Sequence, residues 1–393
     1  MIYPSNTCNS CICLGKIVST GFNFFCKDYN LIVKIQIIVL KSYFCLQNIL
    51  VSMAANRLVE IAYLRAVAIF LVVLMHAFSP YMGWKFVQTD YESTYNSIFS
   101  IWMGGRMPVF LFISGFLFSY LLHVKHKYGH YGLFLWNKVK RLLIPYLVFV
   151  VLMVLSHNRL DFSNPESAFS LLWLFIKKGY WHLWFLLTLF LCFFITKPLS
   201  LIKYPWVHVL VLVVSSVISI FFKTTILFGV NFLVYYFVYF YWGYVVERYK
   251  KQVILFFRWE VALSLLLVWF VLCFIRDYVG VNGVALHVFR YFSNISFIFG
   301  VYVVVHLLVK EGRIKEYPII ERINKYSYGI YIFHVWIITL LFLKERFFTD
   351  WLYSKATEYP VLSPVLIFVF VAFCSVLLTH LLLKTRIGRF LIA

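Results

Sequence analysis

The chain has 393 residues, of which 63% are apolar, 21% aromatic and only 13% charged. An ordinary soluble domain is about 45–50% apolar and about 25% charged, because its surface must be largely polar to stay dissolved. A soluble globular protein, a disordered chain and a secreted disulfide scaffold are thereby excluded. Several apolar runs approach the roughly 20 residues that cross a bilayer, so the sequence predicts an all-α, polytopic transmembrane helical bundle. The net charge of +21 comes from 36 Lys and Arg over 15 Asp and Glu. It sits in short segments between apolar runs, as in cytoplasmic loops, and forms no continuous basic face for nucleic acid.

Residues 1–52 read as an atypical leader. Cys8, Cys11, Cys13, Cys26 and Cys45 crowd into this stretch, but no matching His or Cys pair follows at zinc spacing. Neither a metal site nor a disulfide framework is expected. Charged and apolar zones fall in the wrong order for a signal peptide, and no small-residue cleavage site follows. At Met53 the text changes to a short polar lead, Met53-Ala54-Ala55-Asn56-Arg57, before a clean apolar run. The expectation is that Met53 is the natural start and that residues 53–393 form one membrane domain. Cys192, Cys273 and Cys374 stand singly in apolar runs, where cysteine behaves as a small hydrophobe.

From Met53 about ten apolar spans follow, over residues 58–79, 98–122, 142–156, 180–196, 206–222, 226–246, 259–276, 287–309, 326–343 and 363–383. The third is short for a span and is expected either to extend into 157–160 or to tilt. Residues 168–176 suit a short interfacial helix. Alternate loops differ in basic content. The side holding Arg57, 123–141, 197–203, 247–258, 310–325 and the tail from Lys384 carries more than twice the Lys and Arg of the other. The positive-inside rule places that side, and both termini, in the cytoplasm.

Ionisable groups inside a bilayer are costly and mark function by default. The first span holds Arg65 and His76. Eleven helical steps make nearly three turns, so both leave one face about 16 Å apart. Arg65 lies near the cytoplasmic interface, where it either snorkels or binds an anion; His76 lies deeper. Arginine grips phosphate oxygens in bidentate geometry, and a histidine can take and return a hydroxyl proton. The pair suits transfer from an elongated phosphorylated donor. Arg106 enters the second span from the outer side. It is placed to bind an acceptor, to stabilise an oxyanion, or to pair with an outer-loop acid such as Asp90 or Glu92. Ser114 is either a nucleophile or, with Gly115, a helix-packing position. His182 opens the fourth span among tryptophans, and His334 lies well inside the ninth. The sequon Asn294-Ile295-Ser296 falls within a span and should not be glycosylated.

With these residues in place, the segment from Leu64-Arg65-Ala66-Val67-Ala68-Ile69 to His76 resembles the first span of the acyltransferase-three family of integral-membrane O-acyltransferases, whose mark is an Arg, ten residues, then a His. Arg106-Met107-Pro108-Val109-Phe110-Leu111-Phe112-Ile113-Ser114-Gly115-Phe116 is similar to that family's second-span segment. Lys138-Val139-Lys140-Arg141-Leu142-Leu143-Ile144-Pro145 is similar to its basic pair followed by Pro. Trp181-His182-Leu183-Trp184-Phe185-Leu186 and Ser327-Tyr328-Gly329-Ile330-Tyr331-Ile332-Phe333-His334 resemble later landmarks. The sequence departs from the family at Ala62, where members commonly carry Asp.

The resemblance implies acyl transfer, most often acetyl from acetyl-CoA, to a hydroxyl of a cell-surface glycan or lipid-linked sugar. It implies a multi-pass protein of a bacterial cytoplasmic membrane, with acyl-CoA as donor substrate and no bound cofactor or metal. On this reading His76 and Arg65 are catalytic. Arg65, Lys138, Lys140 and Arg141 contact the donor, and Arg106, Ser114, His182 and His334 contact substrate. The rival reading is a transporter or flippase for a glycan, lipid or anion, although no inverted repeat is visible. Intact mass spectrometry of the protein from its natural source is expected to give a chain starting at Met53; a mass starting at Met1 would overturn that start.

Overall fold

The computed structural model describes residues 59–103, 105–156, 181–222, 230–342 and 349–392. The leader and the interfacial segment 168–176 lie outside these residues. The chain divides into two units at Glu60/Ile61, and the packing described below belongs to the second. Among the described residues the chain is helical, without strands.

The helices are α1 (Val59–Tyr81), α2 (Glu92–Met103), α3 (Arg106–His123), α4 (Tyr131–Ser156), α5 (Trp184–Leu199), α6 (Pro205–Phe221) and α7 (Val230–Arg248). They continue with α8 (Trp259–Val279), α9 (Gly283–Lys310), α10 (Pro318–Leu341), α11 (Thr349–Glu358), α12 (Leu362–Lys384) and α13 (Arg386–Ile392). Proline at the first position, where a missing N–H does no harm, opens α6 and α10. Gly280, left-handed at φ 66°, closes α8.

Among the described residues, 7 helices are long and apolar enough to cross a membrane: α1, α3, α4, α5 with its leading turn, α8, α9 and α12. The other expected spans are helical too, and fall short in length or in apolar content. Helix α6 has 17 residues, α7 is studded with tyrosines, and α10 begins with a turn carrying Glu321 and Arg322.

Two expected boundaries move. The predicted span 98–122 is two helices, α2 ending at Met103 and α3 beginning at Arg106. The short third span lengthens at its start: α4 begins at Tyr131 and takes in a π-helical turn, Val139–Leu143. Lys138, Lys140 and Arg141 are therefore helical residues, not loop residues. Basic side chains hid a helix whose apolar partner, Phe134, is fully buried.

The outer helices are inside-out by soluble standards. Helix α12 buries Ser375 and Thr379 while exposing Val365, Leu366, Val369, Phe370 and Phe373. Helix α6 buries His208, Ser215 and Ser219 while exposing Trp206, Val209, Leu210, Val213 and Val217. Water would reject such faces, whereas lipid tails accept them and leave polar groups to bond within the bundle. The chain is a multi-pass membrane protein.

The tightest crossing is α3 on α7. A Cβ on Gly115 would lie 1.9 Å from the Phe240 carbonyl oxygen, and one on Gly243 would lie 1.9 Å from the Phe112 oxygen. Two bare backbones meet at both points, as small-residue membrane contacts allow. Ser114 beside it donates to Phe110 O within its own helix at 2.8 Å. Asn294, 6% exposed and donating to the Tyr239 hydroxyl, is closed to glycosylation. Gly115→Ala and Gly243→Ala should each lower stability by about 1–3 kcal/mol through overpacking. Gly132→Ala, where a Cβ meets nothing within 4 Å, should raise it by about 0.5–1 kcal/mol. Thermal unfolding in detergent micelles checks both signs.

Candidate active site

Helix α1 carries His76 one turn beyond Val72, and an α-helix leaves the carbonyl four residues back within reach of such a side chain. His76 Nδ1 donates to Val72 O at 2.8 Å. Helix α10 repeats the device: His334 Nδ1 donates to Ile330 O at 2.9 Å. His182 lies in a short turn, Trp181–Leu183, before α5, and its Nε2 donates to Ile332 O on α10 at 3.1 Å. A carbonyl can only accept, so each bond fixes where the ring proton sits. His76 and His334 carry it on Nδ1, and His182 carries it on Nε2.

The three rings form one cluster. Ring centres lie 4.9 Å apart for His76–His334, 5.0 Å for His182–His334 and 6.4 Å for His76–His182. His334 Nε2 faces His76 Nδ1 at 3.3 Å. As the nitrogen without a proton, it accepts a second, weaker share of the His76 N–H. His76 is thus held from behind by a carbonyl and an imidazole, and its remaining lone pair is Nε2.

His76 and His182 line a cavity of about 620 Å³ with Arg106, Trp84, Trp184 and Tyr331 among its other walls. That volume falls within the roughly 300–1,000 Å³ of small-molecule sites. Trp84 packs edge-on against Trp181 at 5.0 Å, and Trp184 stacks on Phe232 at 4.2 Å. Trp181 adopts φ 42°, a left-handed conformation that typically costs a bulky residue about 1–3 kcal/mol. The Tyr331 hydroxyl donates to the carbonyl of His182, so the strained turn is clamped to α10. His182 Nδ1 is shielded from solvent and has no hydrogen-bond partner among the described residues, which costs about 1–3 kcal/mol in a buried acceptor. Arg106 begins α3, so its charge adds to the positive end of the helix dipole.

The site residues expected from sequence divide into groups. Arg106 and His182 line the cavity with His76, and His334 supports them from behind, fully buried. Ser114, on α3, is not among the lining residues, and neither is Arg65, nearly three turns before His76. Lys138 packs its ammonium 3.6 Å from the centre of the Phe193 ring, a cation–π contact, and Lys140 lies 5.3 Å from that of Trp136. Arg141 is exposed, and its carbonyl accepts the Tyr328 hydroxyl at 2.9 Å. Glu92, one suggested partner for Arg106, lies 3.7 Å from Lys85. At Ala62 the main-chain oxygen accepts from Asn324 of α10 at 3.0 Å, which ties α1 to α10 at the position that departs from the family pattern.

Sequence reasoning missed Trp84, Phe232, Tyr236 and Tyr331. Tyr331 was accessible, because it lies one turn before His334 and shares its face. The others sit in an aromatic-rich chain that offers no local signal to separate wall from packing. Nitrogen-15 spectra of histidine-labelled protein, differenced against His76→Phe and His182→Phe, should show the His76 proton on Nδ1 and the His182 proton on Nε2. The reverse assignment would undo the description of the lone pairs.

A family model described as an acyltransferase domain matches residues 58–384. No curated protein and no solved structure gives a match. The match spans all the elements that build the cavity, from α1 to α10, and it agrees with the resemblance carried by Arg65 and His76. The chain belongs to the acyltransferase-three family and is a membrane acyltransferase.

Proposed function

We propose that this protein transfers an acyl group, acetyl first among candidates, from acyl-CoA to a hydroxyl of a cell-surface glycan or lipid-linked sugar. The observation that carries the reading is His76. Its Nδ1–H is bound to Val72 O, which leaves Nε2 as the base in a cavity that also holds Arg106. The acceptor oxygen attacks the thioester carbonyl carbon while His76 Nε2 takes the hydroxyl proton. A C–O bond forms, and the carbonyl oxygen becomes an oxyanion stabilised by the Arg106 guanidinium and the N-terminal end of α3. The C–S bond then breaks, and the leaving thiolate takes the proton back from His76. During the step the imidazolium shares its Nδ1–H between Val72 O and His334 Nε2, the role an orienting group plays behind any general base.

Arg65 binds the phosphates of the donor, with Lys140 and Arg141 adding charge at the mouth; Lys138 contributes from its aromatic cage. This arrangement follows the orientation read from the loops: ten spans, both termini in the cytoplasm of a bacterial cell, donor entering from inside and acceptor from the outer leaflet.

Membranes containing the protein, given radiolabelled acetyl-CoA and a surface-glycan extract of the host, should label the glycan. His76→Ala should reduce the rate by about 10²–10⁴-fold, the usual contribution of a general base. Arg65→Ala should raise the acetyl-CoA concentration needed. Succinyl-CoA in place of acetyl-CoA tests the acyl group. No label from any acyl-CoA would overturn the reading.

A further inference from the structure

The transfer step uses the polar groups of the cavity, yet most of the wall that solvent can reach is aromatic. Among the lining residues that stay partly exposed, Trp84, Trp181, Trp184, Phe232 and Tyr236 accompany His76 and Arg106. Among the described residues, Arg106 is the one charged side chain in the lining. Trp84 stands beside the base, its ring centre 5.9 Å from that of His76 and the planes 40° apart. The loop that carries it is wound back onto the end of α1: Trp84 N–H donates to Ser79 O at 3.1 Å, and Val87 N–H to Pro80 O at 2.9 Å. The next residue, Lys85, is left-handed at φ 52°, as Trp181 is at φ 42°. Residues other than glycine seldom adopt this conformation, and those that do gather at functional sites. Both turns deliver an indole to the same cavity, where Trp84 and Trp181 meet edge to face at 5.0 Å.

An indole offers a broad, flat, electron-rich face, and the ligand it suits can be narrowed by chemistry. A quaternary ammonium, which aromatic rings also attract, would be repelled by Arg106 in the same low-dielectric space. A lipid chain gains nothing from rings that leucines would not supply. On the transfer reading the donor's phosphates lie at Arg65, about 16 Å before His76 along α1, whereas Trp84 lies beyond the other end of that helix. A sugar ring fits. Its C–H bonds form an apolar face, positive at hydrogen, and its hydroxyls leave from the rim. We propose that Trp84 is the platform on which the acceptor's sugar ring stacks, with one rim hydroxyl turned to His76, and that it sets specificity for a saccharide. This rests on the transfer reading above and adds to it the residue that holds the acceptor. Carbon atoms in contact lie about 3.5–4.0 Å apart, so one ring resting on the indole is also within reach of an imidazole centred 5.9 Å away.

The experiment uses the full chain in membranes, acetyl-CoA labelled in the acyl group, and the host glycan extract as probe. The loop bonds around Trp84 are made by the main chain, so side-chain variants keep them. Trp84→Ala should raise the amount of extract needed for half-maximal labelling by about tenfold or more, with the acetyl-CoA KM within about twofold of the parent. Trp84→Phe keeps a ring and should recover most of the loss. Trp84→Leu keeps an apolar side chain without a ring and should behave like Trp84→Ala. Unchanged half-saturation in Trp84→Ala, an equal or larger change in the acetyl-CoA KM, or Trp84→Leu matching Trp84→Phe would overturn the platform while leaving acyl transfer intact. Activity lost as completely in Trp84→Phe as in Trp84→Ala would also overturn it. No label from the parent protein with any acyl-CoA would overturn the transfer reading, and this inference with it.

Discussion

The cavity of this bundle depends on two backbones that touch. Where α3 crosses α7, Gly115 and Gly243 each face a carbonyl oxygen of the other helix, with no room for a methyl group. That contact sets the distance at which Arg106, at the start of α3, and Phe232 and Tyr236, near the start of α7, line one cavity. In lipid there is no hydrophobic force to press helices together, so close van der Waals fit and internal hydrogen bonds must do it. A wider crossing would separate the arginine from the aromatic wall.

Within that frame the histidines are organised by main-chain carbonyls. In each ring one nitrogen is tied to a carbonyl of α1 or α10, and this decides which nitrogen remains basic. The chain uses few acids for the purpose: it has only 15 Asp and Glu, and none of those among the described residues lines the cavity. A carboxylate behind His76 would need its own partners in a low-dielectric interior. A helix carbonyl comes already desolvated and oriented, and a neutral second imidazole adds an acceptor without a buried charge.

The class of the fold was legible because composition and run length are themselves the physics of a bilayer. Arg65 and His76 were legible because a single helix fixes their relation, and Arg106, His182 and His334 stood out as polar groups in apolar runs. Their convergence was not legible. His76 and His334 are 258 residues apart, and only the pairing of α1 with α10 brings them together. The basic stretch around Lys138 misled in the opposite direction: charge implied a loop, whereas aromatic rings beneath the lysine let the helix continue through it. Ser114 and Gly115 offered two readings from sequence; Gly115 carries the close crossing, and Ser114 bonds within its own helix.

The π-helical turn Val139–Leu143 in α4 has a bearing on how this region tolerates change. A π turn is an α-helix holding one residue too many, and each residue of an α-helix advances the phase by about 100°. The turn absorbs that residue, so the segments before and after it keep nearly the phase of an uninterrupted helix. Phe134 and Lys138 face the aromatic cluster before it, and Tyr146, Phe149 and Met153 fill the core after it. Losing one residue here would let the helix regularise with both faces kept, whereas gaining another would rotate one face away from its partner by about 100°. This stretch of the chain has room to lose a residue and none to gain one.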